Sequence, residues 1–281
     1  MNRLVTRRVS EDAPVASLTR RVTILPQIQP ARIDSQPICE SSVFAFFRGA
    51  KDDDKRPHDA NLLGDMYMAN AAVTSNLAER LIELGGISPH RLRLLPAPGM
   101  ATIDDLVHAN DHTSPLCELV DHTLVEKAVG FESSVAALTI AALLRSFIAP
   151  QKLGVLSGPD GMFRLIKSSV RGPDVAFLSR ARFPGGKFPT EAYPSLAPDL
   201  AVEVFSPSNT KAEMFRKRIE YFHSGVQLVW IVDCVDRSVA VYTSPDAVRV
   251  LTEEQTIDGG TVLPGFEAKV ADFFADLDFG Q

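Results

Sequence analysis

"PDLAVEVFSPSNTKAEMFRKRIEYFHSGVQLVWIVD", residues 198–233, sets two short apolar runs on either side of an amphipathic segment. "LAVEVF" reads as a buried strand. Thr210 and Glu213 have capping-box spacing and open a helix that Gly225 closes, and "QLVWIVD" follows as the next strand. One residue breaks the pattern. Glu203 stands among Ala, Val and Phe, where an ionised carboxylate is costly unless its charge is compensated.

Upstream, "GPDVAFLS" is a further short strand, and "LGVLSGPDGMFRLIKS" holds two β-like runs about Pro-Asp-Gly, the pattern of a hairpin. "ESSVAALTIAALLRSFIA" is the clearest helix, apolar on most of its surface, so its body is expected to be buried. "CELVDHTLVEKAVG" alternates like a strand or hairpin. A helical period runs from Asn61 to Gly85, with Leu63, Met66, Leu77, Leu81 and Leu84 among its apolar positions. Thr102 and Asp105 then open a short helix. Downstream, "SVAVYTS" and "AVRVLT" are strands, and a turn leads to a terminal helix near "VADFFADL". Together these elements describe an α/β (α+β) domain, a mixed sheet with flanking helices.

The 281 residues divide into a variable leader (1–58), a helical lead-in (59–115) and a main domain (116–281). The leader mixes arginines, prolines and the charge run "KDDDKRPHD", a composition that favours disorder. A net charge of −6 excludes a surface coated in basic residues but not a local basic groove. Three dispersed cysteines, Cys39, Cys117 and Cys234, suit a reducing compartment and form neither a disulfide framework nor a zinc knuckle. The first residues lack the apolar core of a secretory signal, and the longest apolar run reads as too short and interrupted to span a bilayer. The expectation is a soluble cytoplasmic protein.

The chemistry-bearing residues are acids that interrupt apolar segments. Asp174 follows Gly172-Pro173 at a strand start, Glu203 lies within a strand, and Glu132 stands in the first turn of the long helix. If they converge, they suit a hard divalent cation, which takes oxygen ligands and keeps several waters. Lys217, on the helix after the Glu203 strand, could then stabilise charge developing on a phosphate. Each residue also has a plainer account. Asp174 suits a turn, Glu132 a helix start and Lys217 a surface. Glu203 would equally suit an edge strand or a buried pair with an arginine. The helix period leaves Lys217 ambiguous. If the stripe Ala212, Phe215, Ile219, Phe222 packs on the sheet, Lys217 points away from Glu203; Met214, Arg218 and Tyr221 form a second face beside it. His108 and His112 lie four apart, but with no third ligand they make a weak metal pair.

"CELVDHTLVEK", "GPDVAFLS", "APDLAVEVFSPSNT", "KRIEYFHSGVQLVWIVD" and "TIDGGTVLPGF", in this order, resemble the Uma2 family of restriction-endonuclease-like proteins, within the PD-(D/E)XK nuclease superfamily. The resemblance runs from about Leu77 to the C-terminus. It implies a restriction-endonuclease-like core and a Mg- or Mn-dependent endonuclease acting on DNA. Asp174, Glu203, Glu132 and the Val204 carbonyl would be metal ligands, Lys217 a catalytic lysine and Tyr221 its support. The superfamily's usual lysine position, two after the glutamate, holds Phe205 here; Lys217 and Tyr221 match the family's relocated lysine on the next helix. A homodimer follows by analogy with the superfamily. The alternative is a nuclease fold that binds DNA or a protein partner without cutting.

Overall fold

The computed structural model describes residues 76–166 and 168–278. The leader, its charge run and the helical period before Asn76 lie outside the described residues.

Helix α1 (Leu77–Glu83) is capped by the Asn76 side chain, which accepts from the Glu79 amide. It stops at Gly85 and Gly86, whose positive φ angles of 98° and 66° end a helix cheaply only in glycine. Helix α2 (Ile103–His112) has the reciprocal Thr102–Asp105 capping box. Strands β1 (Cys117–Val120) and β2 (Thr123–Glu126) form a hairpin. Its turn residues Asp121 and His122 both take positive φ, as a two-residue turn of matching twist requires. There follow α3 (Phe131–Gln151), β3 (Gly154–Ser157), β4 (Phe163–Ile166), β5 (Ser169–Arg171), β6 (Val175–Ser179), β7 (Leu200–Phe205) and α4 (Lys211–His223). The chain continues through β8 (Leu228–Asp233), β9 (Ser238–Tyr242), β10 (Val248–Thr252), β11 (Thr256–Gly259) and β12 (Leu263–Lys269). It closes in a 3-10 segment, Val270–Asp278.

The main sheet has six strands in the order β10-β9-β8-β7-β6-β3, with β7 and β8 parallel and the other pairs antiparallel. A parallel pair needs a crossover, and α4 supplies it. A second sheet has the order β2-β1-β5-β4. β3 and β4 therefore do not form a hairpin: the Pro159-Asp160-Gly161 turn carries the chain from one sheet to the other. Local turn chemistry fixes a reversal but not which partner each strand finds. The "TIDGGTVLPGF" stretch likewise hides the β11–β12 hairpin, and the terminal helix is 3-10 rather than α.

Alternation along β7 sorts its side chains between two layers. Leu200, Val202 and Val204 join the core under α3, with Trp230, Phe266, Phe273 and Phe274, whereas Ala201 packs with Tyr221 of α4. Glu203, of the same parity as Ala201, also faces α4. Only one stripe of α3 is buried (Ala136, Ile140, Leu144, Ile148), because the sheet covers one face and the 3-10 segment part of another. Leu138 is 73% exposed, so the expectation of a fully buried body does not hold. Nor is the run too short to span a bilayer: at 21 residues α3 passes on length and composition, although its buried stripe is packed on the sheet.

Helix α4 decides between the two faces that its period left open. Phe215 is half-exposed and Ala212 exposed, while Glu213, Met214, Arg216, Lys217, Glu220 and Tyr221 are buried. The helix meets the main sheet through Tyr221 and Lys217 and the smaller sheet through Lys217 and Glu220, so its polar face points inward.

Gly85 makes a close backbone approach to α4: a Cβ there would lie 2.7 Å from Glu213 Cα, whereas one at Gly86 would meet open space. Gly86→Ala should therefore cost about 1–2 kcal/mol, the left-handed penalty alone. Gly85→Ala should cost distinctly more in the same urea titration, because its clash adds to the conformational strain.

Candidate active site

The cleft is built where β6 stops short of β7. Their pairing ends at Val175–Val202, and beyond it the Asp174 carboxylate takes over: its Oδ2 accepts from the Val204 amide at 2.9 Å. A strand residue's N–H and C=O point to the same edge, so the Val204 carbonyl faces Asp174's side too. Asp174, Glu203, Val204, Lys217 and Lys127 all line a cleft of about 520 Å³.

Glu203 is 2% exposed. Lys217 Nζ donates to both its oxygens, at 3.1 and 3.0 Å, and the Tyr221 hydroxyl donates to Oε1. The turn that aims Lys217 is fixed by the side chain of Asn209. Its Oδ1 accepts from the Ser206 amide and hydroxyl, and its Nδ2 donates to Glu213 at 2.9 Å. Thr210 caps α4 through the Glu213 amide, but the Glu213 carboxylate does not complete the box; Arg91 takes it in a bidentate pair at 2.7 and 2.9 Å.

Behind the lysine lies a second buried acid. Glu118 Oε1 sits 3.3 Å from Lys217 Nζ and accepts from the Gly172 amide, while Oε2 takes Arg171 at 3.0 Å. Arg171 also grips Glu220 through two nitrogens, and Arg216 links Glu220 to Asp121. Lys127 reaches the Gly172 carbonyl at 2.5 Å and Asp174 at 3.4 Å. The segment Gly172–Asp174 is thus held from both sides by charged groups of the smaller sheet.

Within this network five cations (Arg91, Lys127, Arg171, Arg216, Lys217) meet six carboxylates (Glu118, Asp121, Asp174, Glu203, Glu213, Glu220). One negative charge is in surplus. Burial opposes the charge of Glu118, but Lys217 and Arg171 more than offset it and hold the carboxyl below the usual range. For Glu203 burial wins: against the pull of Lys217, and with Asp174 nearby, its pKa rises to about 6. The ammonium of Lys217 is disfavoured by burial, yet Glu118 and Glu203 keep it protonated well above the ordinary lysine range.

Of the residues singled out in the sequence, Asp174, Glu203, Val204, Lys217 and Tyr221 come together. Glu132 does not. It is exposed, outside the lining of the cleft, and lies toward Cys234, whose thiol burial, Asp233 and Glu132 push up to about 11. His108 and His112 stack with ring centres 4.4 Å apart on α2. Among the described residues no group of three or more His, Cys, Asp or Glu could hold a metal. What the cleft does offer is two carboxylates and a carbonyl, a donor set that suits a hard cation retaining most of its water. Sequence reasoning missed Glu118, Arg171, Glu220 and Lys127. Glu118 had the same signal as Glu203, an acid inside an apolar strand; the cations had none.

A family model described as "Uma2: Putative restriction endonuclease" matches residues 103–271. Among solved structures, the crystal structure of "a putative nuclease belonging to DUF820 from Anabaena variabilis" is similar, with 17% identity and a TM-score of 0.55. The likeness covers 62% of this chain and 97% of that one, and it shows the fold. No curated protein matches the chain.

Arg171→Met leaves Glu118 and Glu220 short of their buried partner and should cost about 3–5 kcal/mol in urea denaturation. Glu203 gives a pH signature. Its folded pKa lies above its unfolded one, so between about pH 4.5 and 6 the folded state keeps a proton that the unfolded chain has lost. Its contribution to stability therefore falls as pH rises through that window, by on the order of 2 kcal/mol. Glu118 acts oppositely, its contribution being lost as pH drops below the ordinary carboxylate range. Glu203→Gln should remove the first slope and spare the second.

Proposed function

This chain belongs to the Uma2 family of restriction-endonuclease-like proteins, and from that premise we propose that it is a metal-dependent endonuclease that hydrolyses DNA phosphodiester bonds. The observation that carries the reading is the convergence of Lys217 and Tyr221 on a buried Glu203 beside Asp174, in one open cleft.

Asp174, Glu203 and the Val204 carbonyl would hold magnesium or manganese, which when bound supplies charge stabilisation for a phosphoryl group and acidifies a water. The remaining roles belong to the chain. Lys217, held protonated between two carboxylates, is no proton acceptor; it supplies fixed positive charge where a phosphate gains negative charge. Glu203, held by Lys217 and Tyr221, would present its carboxylate as an ionised ligand to that metal cation. The Tyr221 hydroxyl fixes the orientation of that carboxylate, and the Val204 amide fixes that of Asp174. Glu118 and Arg171 act at one remove, positioning Lys217 and the Gly172–Asp174 segment.

A second reading, DNA binding without cleavage, draws on one observation: both Glu203 oxygens are already engaged by Lys217. Incubating the protein with supercoiled and linear DNA in magnesium or manganese separates the two. Cutting is expected, abolished by EDTA, by Asp174→Asn and by Glu203→Gln, and lowered at least about 100-fold by Lys217→Met. Binding without cutting, unchanged by Asp174→Asn, would favour the second reading.

A further inference from the structure

A hollow larger than the cleft lies elsewhere on the described chain. A groove of about 880 Å³ runs along β3, the edge strand of the main sheet, between the C-terminal half of α3 and the loop of residues 180–196. The two hollows meet at one turn: Gly158, Pro159 and Asp160 border the cleft, while Ser157 and Gly161 border the groove. The four residues of β3 carry the groove about 13 Å from that junction.

The charge of the groove differs from that of the rest of the described chain. Cations elsewhere are largely consumed in ion pairs, as in the network around Lys217. Arg145, Lys152 and Arg180 are exposed, line this groove, and have no side-chain partner among the described residues. They face one carboxylate of the lining, Glu191. The same lining carries two aromatic rings, Phe183 and Phe188, edge to face at 5.2 Å, with Phe188 67% exposed. On a chain of net charge −6, such a concentration of unpaired cations selects an anionic occupant. The exposed ring narrows the choice. A duplex turns its base faces inward, so an aromatic platform gains contact only with unstacked bases.

We propose that this groove binds a single-stranded DNA flank of the substrate, with Arg145, Lys152 and Arg180 on its phosphates and Phe188 under a base. The proposal rests on the reading of the cleft as a DNA-cutting site, and it adds a place for strand outside the cleft.

Fluorescence anisotropy of the full chain with labelled oligo-dT and with a blunt duplex, over 50 to 300 mM NaCl, tests it. The triple variant Arg145→Ala, Lys152→Ala, Arg180→Ala should weaken oligo-dT binding at least about 10-fold and flatten the log K against log salt slope by about 2, the loss of three phosphate contacts. Phe188→Ala should lose about 5- to 100-fold with the slope unchanged. Both variants should keep the wild-type melting temperature and cut the blunt duplex within about twofold of it. Oligo-dT binding that is weak in the wild type, or equal in all three proteins, overturns the groove and leaves the cutting activity standing. Binding that follows the expected pattern in a protein that cuts nothing supports the groove and sinks the reading of the cleft. If sedimentation shows a dimer that either variant splits, β3 is an interface between copies and the proposal fails.

Discussion

The contact between the Lys217 ammonium and the Glu203 carboxylate, about 3 Å long and buried at the base of the cleft, constrains everything around it. Neither charge could be buried alone. Paired, they still leave donors and acceptors over, and these recruit Glu118, Tyr221 and through Glu118 the guanidinium of Arg171. Each addition brings its own unpaired charge, and the chain of partners ends only where Asp121 reaches the half-exposed hairpin turn. Replacing such a network by apolar packing is often neutral or stabilising. Stability alone is thus a poor reason to keep it, and the surplus carboxylate lies beside an open cleft.

The smaller sheet takes its meaning from the same contact. It carries little of the main core, but it delivers Glu118 to Lys217 and Arg171 to Glu220, both on α4. The helix sits between two layers, one wanting Tyr221 and the other wanting charge, and Ala212 and Phe215 of its apolar stripe are left outside.

That arrangement explains what could be read from the sequence. Most strand positions before β11, the Thr102 box and the Gly85-Gly86 stop are written in nearest neighbours, and they were legible. Glu203 was legible because burial of a strand shows in its composition. Lys217 was not placed by its helix: amphipathic period assumes that the buried face is the apolar one, which fails when the opposing surface is itself ionic. The β3–β4 stretch misled for another reason. A turn motif specifies a change of direction, and only distant residues decide whether the two arms pair with each other. The cations of the network are silent in sequence because an arginine in a polar stretch looks the same whether it meets water or a carboxylate.

Strand parity gives the buried charges a further part to play. Along β7 the side chains alternate between the hydrocarbon layer under α3 and the ionic layer against α4. Were β7 to slide by a single residue against its neighbours, Glu203 would land beside Trp230 and Val204 would face the lysine. An all-aliphatic strand would tolerate that error, since either face would be greasy. Here the mistake would strand an anion in oil, so the charged cluster also acts as a proofreader of how the sheet is threaded.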